Sequence, residues 1–103
     1  MDVIAARKCA ANFLRFAHAI DTQLPATSDL QSLTGFGGFE SAHQLRRGFE
    51  GKAAEATEIL TGLRTSAVRI AQAFLLSGGL IEEADTLTAK SLQAALADLE
   101  TPR

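Results

Sequence analysis

Apolar residues in the first part of the chain fall at Val3, Ala6, Ala10, Phe13, Ala17, Ile20 and Leu24, in steps that alternate three and four. That spacing marks a helix packed lengthwise against another helix. Leu14 and Phe16 widen the stripe, while Arg7, Lys8, Asn12, Arg15, His18 and Thr22 share the opposite face. The pattern predicts a helix over about 2–24. Pro25 is expected to end it, because the residue before a proline is pushed out of the α region.

Residues 25–40 read as a connector. Ser28 and Gln31 have the form of a capping box, so Asp29 to Leu33 is expected to make a short helical turn. Next comes Thr34-Gly35-Phe36-Gly37-Gly38-Phe39, a glycine-rich reversal with two phenylalanines to bury. It succeeds no apolar strand and precedes no lysine, which argues against a phosphate-binding loop.

A second helix is predicted over about 41–77, with Ser41 and Gln44 as another capping-box pair. Its seam runs Ala42, Leu45, Phe49, Ala53, Ala56, Leu60, Leu63, Ala67, Ile70, Phe74, and its polar face carries His43, Arg47, Glu50, Thr57, Thr61, Thr65 and Gln72. Beyond Ala67 the stripe spreads to Val68, Leu75 and Leu76. Two paired helices cover only one stripe of each, so this patch is expected to need a partner or a second copy. Gly78-Gly79 should break the helix before a tail helix over about 80–99, whose weaker stripe is Leu80, Ala84, Leu87, Ser91, Ala94 and Leu99; Pro102 lies past its end.

The expected fold is therefore all-α. It is a long antiparallel helical hairpin with a Gly-rich turn and a helical C-terminal tail, forming one domain over residues 1–103 and pairing into a four-helix bundle. Composition agrees: 47% of the residues are hydrophobic, many of them alanine, and Trp and Tyr are absent. Such a chain suits closely packed helices better than a thick core. The residues expected at a partner interface are Phe13, Ile20, Leu24, Phe49, Leu60, Leu63, Ile70, Phe74 and Leu75.

The net charge is −2, and the adjacent basic pairs Arg7-Lys8 and Arg46-Arg47 are isolated. This is not the clustered basic face that nucleic acid requires. The single cysteine, Cys9, allows no intrachain disulfide and reads as a buried structural thiol. The N-terminus shows no export leader, and Ile70 to Leu76, interrupted by Gln72, is too short to span a bilayer.

No catalytic constellation emerges. His18 and His43 are read as exposed on polar helix faces, with no acid fixed beside either. Glu82, Glu83 and Asp85 read as a solvated acidic face, because a helix splays the adjacent pair apart. The serines and threonines show no nucleophile elbow. The chain is therefore read as a non-enzymatic protein with no metal or cofactor.

Two helices around a central Gly-aromatic turn, at this length, resemble the WXG family of small ESX-type proteins, which are substrates and partners of type VII secretion in bacteria. Phe36-Gly37-Gly38 stands where that family has Trp-x-Gly, and Phe39-Glu40-Ser41-Ala42-His43-Gln44-Leu45, with Phe49 a turn later, is similar to the start of its second helix. Ile81-Glu82-Glu83-Ala84-Asp85 occupies the place of the family's Tyr-x-x-x-Asp/Glu secretion signal, with Ile81 for the tyrosine and Asp85 kept. The resemblance covers roughly residues 3 to 90. It implies a turn motif of Phe36, Gly37, Gly38 and Phe39 and a signal-like pair of Ile81 and Asp85. It also implies export as a homo- or heterodimer, made in the cytoplasm and secreted without a cleaved leader, with a larger effector bearing a similar helical region as a candidate partner.

Three function classes are consistent with these features: a secretion-associated protein that binds a helical partner, a cytoplasmic antitoxin-like or chaperone-like binding protein, and a membrane-active hairpin. The last lacks the Lys/Arg-rich polar face and Trp anchors that interfacial helices favour.

Overall fold

A computed structural model describes residues 1–35, 37–87 and 91–100. The described residues form four helices: α1 (Val3–Asp29), α2 (Glu40–Ser77), α3 (Ile81–Thr86) and α4 (Leu92–Glu100). The two long helices pack against each other, α3 packs on α2 and α4 packs on α1. The molecule is a rod of 61 × 19 × 19 Å.

Cross-helix bonds fix how α1 and α2 run. The N-terminal ammonium of Met1 donates to the Ser77 carbonyl at 3.1 Å. Arg64 pairs with Asp21, Gln31 Nε2 donates to the Thr57 hydroxyl at 2.8 Å, and the Leu33 N–H donates to Glu50 at 2.8 Å. The partners ascend on one helix as they descend on the other. At the start of α1 the Asp2 carboxylate accepts the Ala5 N–H at 3.2 Å, satisfying one of the orphan donors of the first turn.

Pro25 does not end the first helix. α1 runs through it to Asp29, with Pro25 exposed. The proline removes one backbone hydrogen bond, which is tolerable because the residues after it are anchored on α2 through Thr27, Gln31 and Leu33. Ser28 and Gln31 make no capping box; the Gln31 N–H instead closes a turn on the Ser28 carbonyl at 3.1 Å. Of the stretch expected as a helical turn, Asp29 to Leu33, Asp29 is the last residue of α1, Leu30 and Gln31 form a hydrogen-bonded turn, and Ser32 is a bend. α2 starts at Glu40, capped at Phe39 without any side-chain bond, so the Ser41–Gln44 box is not used either.

α2 ends in a tight reversal. The Leu80 N–H bonds to the Leu75 carbonyl at 2.8 Å and the Gly79 N–H to the Leu76 carbonyl at 3.0 Å, with Gly79 at φ +76°. These two bonds and the left-handed glycine make a Schellman motif. The tail beyond it is not one helix over 80–99. It is α3 and α4, with residues 88–90, like Phe36 and Pro102, outside the described residues. The tail folds back: Glu100 pairs with Arg15 and Glu83 with Arg7 at 2.9 Å.

That return places the core at one end of the rod. Ala10, Ala11, Leu14 and Ala17 of α1 meet Ala67, Ala71 and Leu75 of α2 and Ala84, Leu87, Leu92, Ala95 and Leu99 of the tail. Phe13, Val68, Phe74, Leu80 and Leu96 pack around them, and Phe13 stacks on Phe74 with ring centroids 5.7 Å apart. Leu75 and Val68, expected to await an outside surface, are thus covered by the chain's own tail.

Candidate partner-binding face

The face that α2 turns toward α1 differs from the seam that its apolar pattern suggests. Buried along α2 are Ala53, Ala67, Ala71 and Leu75. Thr57 and Arg64, which fall on the same side, bond to α1 through Thr27, Gln31 and Asp21. In the half of the rod near the glycine turn, α2 therefore meets α1 through alanine and polar side chains. Thr57, expected on the solvent face, bonds to Thr27 of α1, and Glu50, expected there too, accepts the Leu33 N–H just past the end of that helix.

The more apolar row lies outside. Leu45 is 55% exposed, Phe49 56%, Ile59 64%, Leu63 44% and Ile70 41%. At 3.6 residues per turn this row sits roughly 80° around α2 from the row that meets α1. Within it Leu45, Phe49, Lys52, Ala56, Ile59, Leu63, Ser66, Ile70 and Ala73 alternate steps of four and three without interruption. That is a second heptad seam, long enough to pack one more helix. Gly48 opens a shallow hollow in it, lined by Gln44, Leu45, Phe49 and Lys52.

The residues expected at a partner interface therefore divide. Phe49, Leu63 and Ile70 are on the open face. Ile20 and Leu75 are buried within the chain, Leu24 and Leu60 are half-buried, and Phe13 and Phe74 stack on each other. Ile59 is absent from the expected set and Leu45 stands on the inner seam there, because that seam merges two rows. Counting heptads from Leu45 without switching at Ala53 separates them.

At the turn, Gly35 and Gly37 have φ of +87° and +90°, a region only glycine enters without strain. Phe36 of the turn motif lies outside the described residues. Gly38 is exposed, and Phe39, expected to be buried in the turn, is 80% exposed. At the far end Ile81 is 61% exposed and Asp85 is also on the surface. The turn and Ile81 thus lie at opposite ends of the rod.

His18 and His43 are half-buried rather than exposed, as is the free thiol of Cys9. Among the described residues no three His, Cys, Asp or Glu side chains gather into a metal-binding group. No helix of the described residues is long and apolar enough to cross a membrane. Comparison with protein-family models, curated proteins and solved structures returns no match to this chain.

Proposed function

We propose that this chain is a non-enzymatic binding protein associated with type VII secretion, a helical hairpin that pairs with another helical protein into a four-helix bundle for export. One observation carries the binding part of this reading: the row Leu45, Phe49, Ile59, Leu63 and Ile70 is exposed while a less apolar row of the same helix is spent on α1. An apolar row of this length at heptad spacing is suited to receiving a helix.

The secretion part rests on the resemblance of Phe36-Gly37-Gly38 and of Ile81 to Asp85 to the WXG family's turn and signal. The two lie at opposite ends of one chain, so a composite export signal requires an antiparallel pair. The exposure of Phe39, Ile81 and Asp85 is compatible with that use.

The test is secretion from a bacterium with an intact type VII system and from one in which the system is disabled. The expected result is export only with the intact system, and loss of export with Asp85→Ala while the complex persists. Retention in both hosts, with partner binding preserved, would instead favour a cytoplasmic antitoxin-like or chaperone-like role.

A further inference from the structure

Val68 stands at the floor of a cleft between α2 and the returning tail. One wall is α2, through Arg64, Thr65, Val68, Arg69 and Gln72, and the other is the tail, through Leu87 and Leu92. Val68 is half-buried, and both leucines are buried. The cleft has a volume of about 350 Å³, at the lower end of the range of about 300–1,000 Å³ typical of small-molecule sites. No carboxylate is among the described residues that line it, although the chain carries a net charge of −2.

The two arginines flank the apolar floor. At 3.6 residues per turn Arg69 lies roughly 140° around α2 from Arg64, with Val68 and Gln72 at roughly 40° and 80° along that arc. Arg64 gives its Nε to Asp21, and its two terminal nitrogens make no hydrogen bond or ion pair among the described residues. Arg69 makes none at all there. Its helical neighbours three and four positions away are Thr65, Ser66, Gln72 and Ala73, none of them acidic. The other polar groups are already committed as donors: the Thr65 hydroxyl to the Thr61 carbonyl at 3.1 Å, and Gln72 Nε2 to the Ala84 carbonyl at 3.0 Å. Asp21 offsets the charge of Arg64, so Arg69 supplies the net attraction for an anion.

We infer that this cleft binds a small carboxylate with a short apolar body. Arg69, with Arg64, holds the head, and the body lies over Val68 against Leu87 and Leu92. A guanidinium fork matches a carboxylate in two parallel hydrogen bonds. From Arg64 to Gln72 the cleft runs about 12 Å along α2, which limits the body to a short chain or a single ring. A bare phosphate ion would engage the arginines and leave the leucines unused, and a neutral alcohol would do the reverse. The pairing of the two surfaces selects the class. The cleft lies on the side of α2 opposite Leu45, Ile59 and Leu63, so this inference does not rest on the binding role proposed above. One wall belongs to the tail, so the ligand favours the folded-back tail and stabilises it by mass action.

Calorimetric titration and NMR of the full chain with octanoate test it, with octanol, hexanoate and inorganic phosphate as comparisons. Octanoate should saturate a single site, shift the resonances of Val68, Leu87 and Leu92, and leave those of Leu45 and Phe49 in place. Hexanoate, two methylenes shorter, should bind several-fold to about fifteenfold more weakly, from roughly fourfold per buried methylene. Arg69→Gln should weaken octanoate binding at least tenfold and leave the melting point of the free protein unchanged, since Arg69 is exposed and unpaired among the described residues. Octanoate should raise the melting point of the wild-type chain and not that of Arg69→Gln. Absence of saturable binding at millimolar octanoate overturns the inference. So does binding that shifts Leu45 and Phe49 instead, which would mean adsorption on the outward row. Equal affinity for octanol or for phosphate, or an unaltered affinity in Arg69→Gln, overturns it as well.

Discussion

Gly78 lies against Ala6 so closely that a Cβ built on the glycine would come within 2.5 Å of the alanine Cβ. This is where the end of α2 crosses the start of α1, and the tail leaves from the same point. Gly78→Ala should destabilise the fold by about 1–3 kcal/mol through overpacking, read as a lowered denaturation midpoint. Ala6→Gly in the same chain should return most of the loss, because it removes the atom that the new methyl strikes. No recovery in the double variant would place the cost elsewhere.

The next residue makes a separate demand. Gly79 sits at φ +76° with open space where a Cβ would go, so its constraint is conformational rather than steric. Gly79→Ala should cost about 1–2 kcal/mol, the penalty of the left-handed region for an L-residue. Ala6→Gly should not relieve it, and thermal melts of the two pairs of variants separate the causes.

Leu14 and Leu75 are the largest fully buried side chains among the described residues. Truncating either to alanine should cost about 2–5 kcal/mol in urea titrations. Leu14→Ala and Leu75→Ala share one cluster, so their combined effect should depart from the sum.

Pro25→Ala should stabilise the chain, restoring an N–H that can reach the Asp21 carbonyl, by up to about 3 kcal/mol. Proline is exposed there, so the change removes no packing. A neutral or destabilising result would mean that the proline's restriction of the unfolded chain outweighs the missing bond.

The Arg7–Glu83 pair is largely covered, with side-chain exposures of 16% and 18%, whereas Arg47–Glu40 is at 63% and 75%. Glu83→Ala leaves a half-buried guanidinium short of its acceptor and should cost about 1–3 kcal/mol. Glu40→Ala should fall within about 1 kcal/mol of wild type, as exposed pairs do. Parallel urea titrations of the two variants make the comparison.

Helix existence is readable from spacing alone, and α2 begins and ends within a residue of where its pattern and Gly78-Gly79 place it. Pro25 misleads because one lost backbone bond near a helix end is outweighed by the anchors that Thr27 and Gln31 supply on α2. The facing of α2 misleads for a different reason. Its surface holds two heptad rows, and periodicity cannot say which one meets α1. Alanine and threonine win that contact because they let the backbones approach, leaving Leu45, Ile59 and Leu63 outward. The return of the tail is not legible either. Gly78-Gly79 announces a break, but only Leu87, Leu92 and Leu99 docking beside Leu14 and Leu75 fix its direction, and their stripe is weak by itself.

A core confined to one end makes opening directional. Amide exchange in α1 near Leu14 and in α2 near Ala71 should track global unfolding, while amides around Leu24 and Gly51 exchange through smaller openings that start at the glycine turn. The half of the rod that peels apart first is also the half that carries Leu45, Phe49 and Ile59. An incoming helix therefore meets the most pliable stretch of the molecule, where curvature can adjust before Leu14 or Leu75 is disturbed.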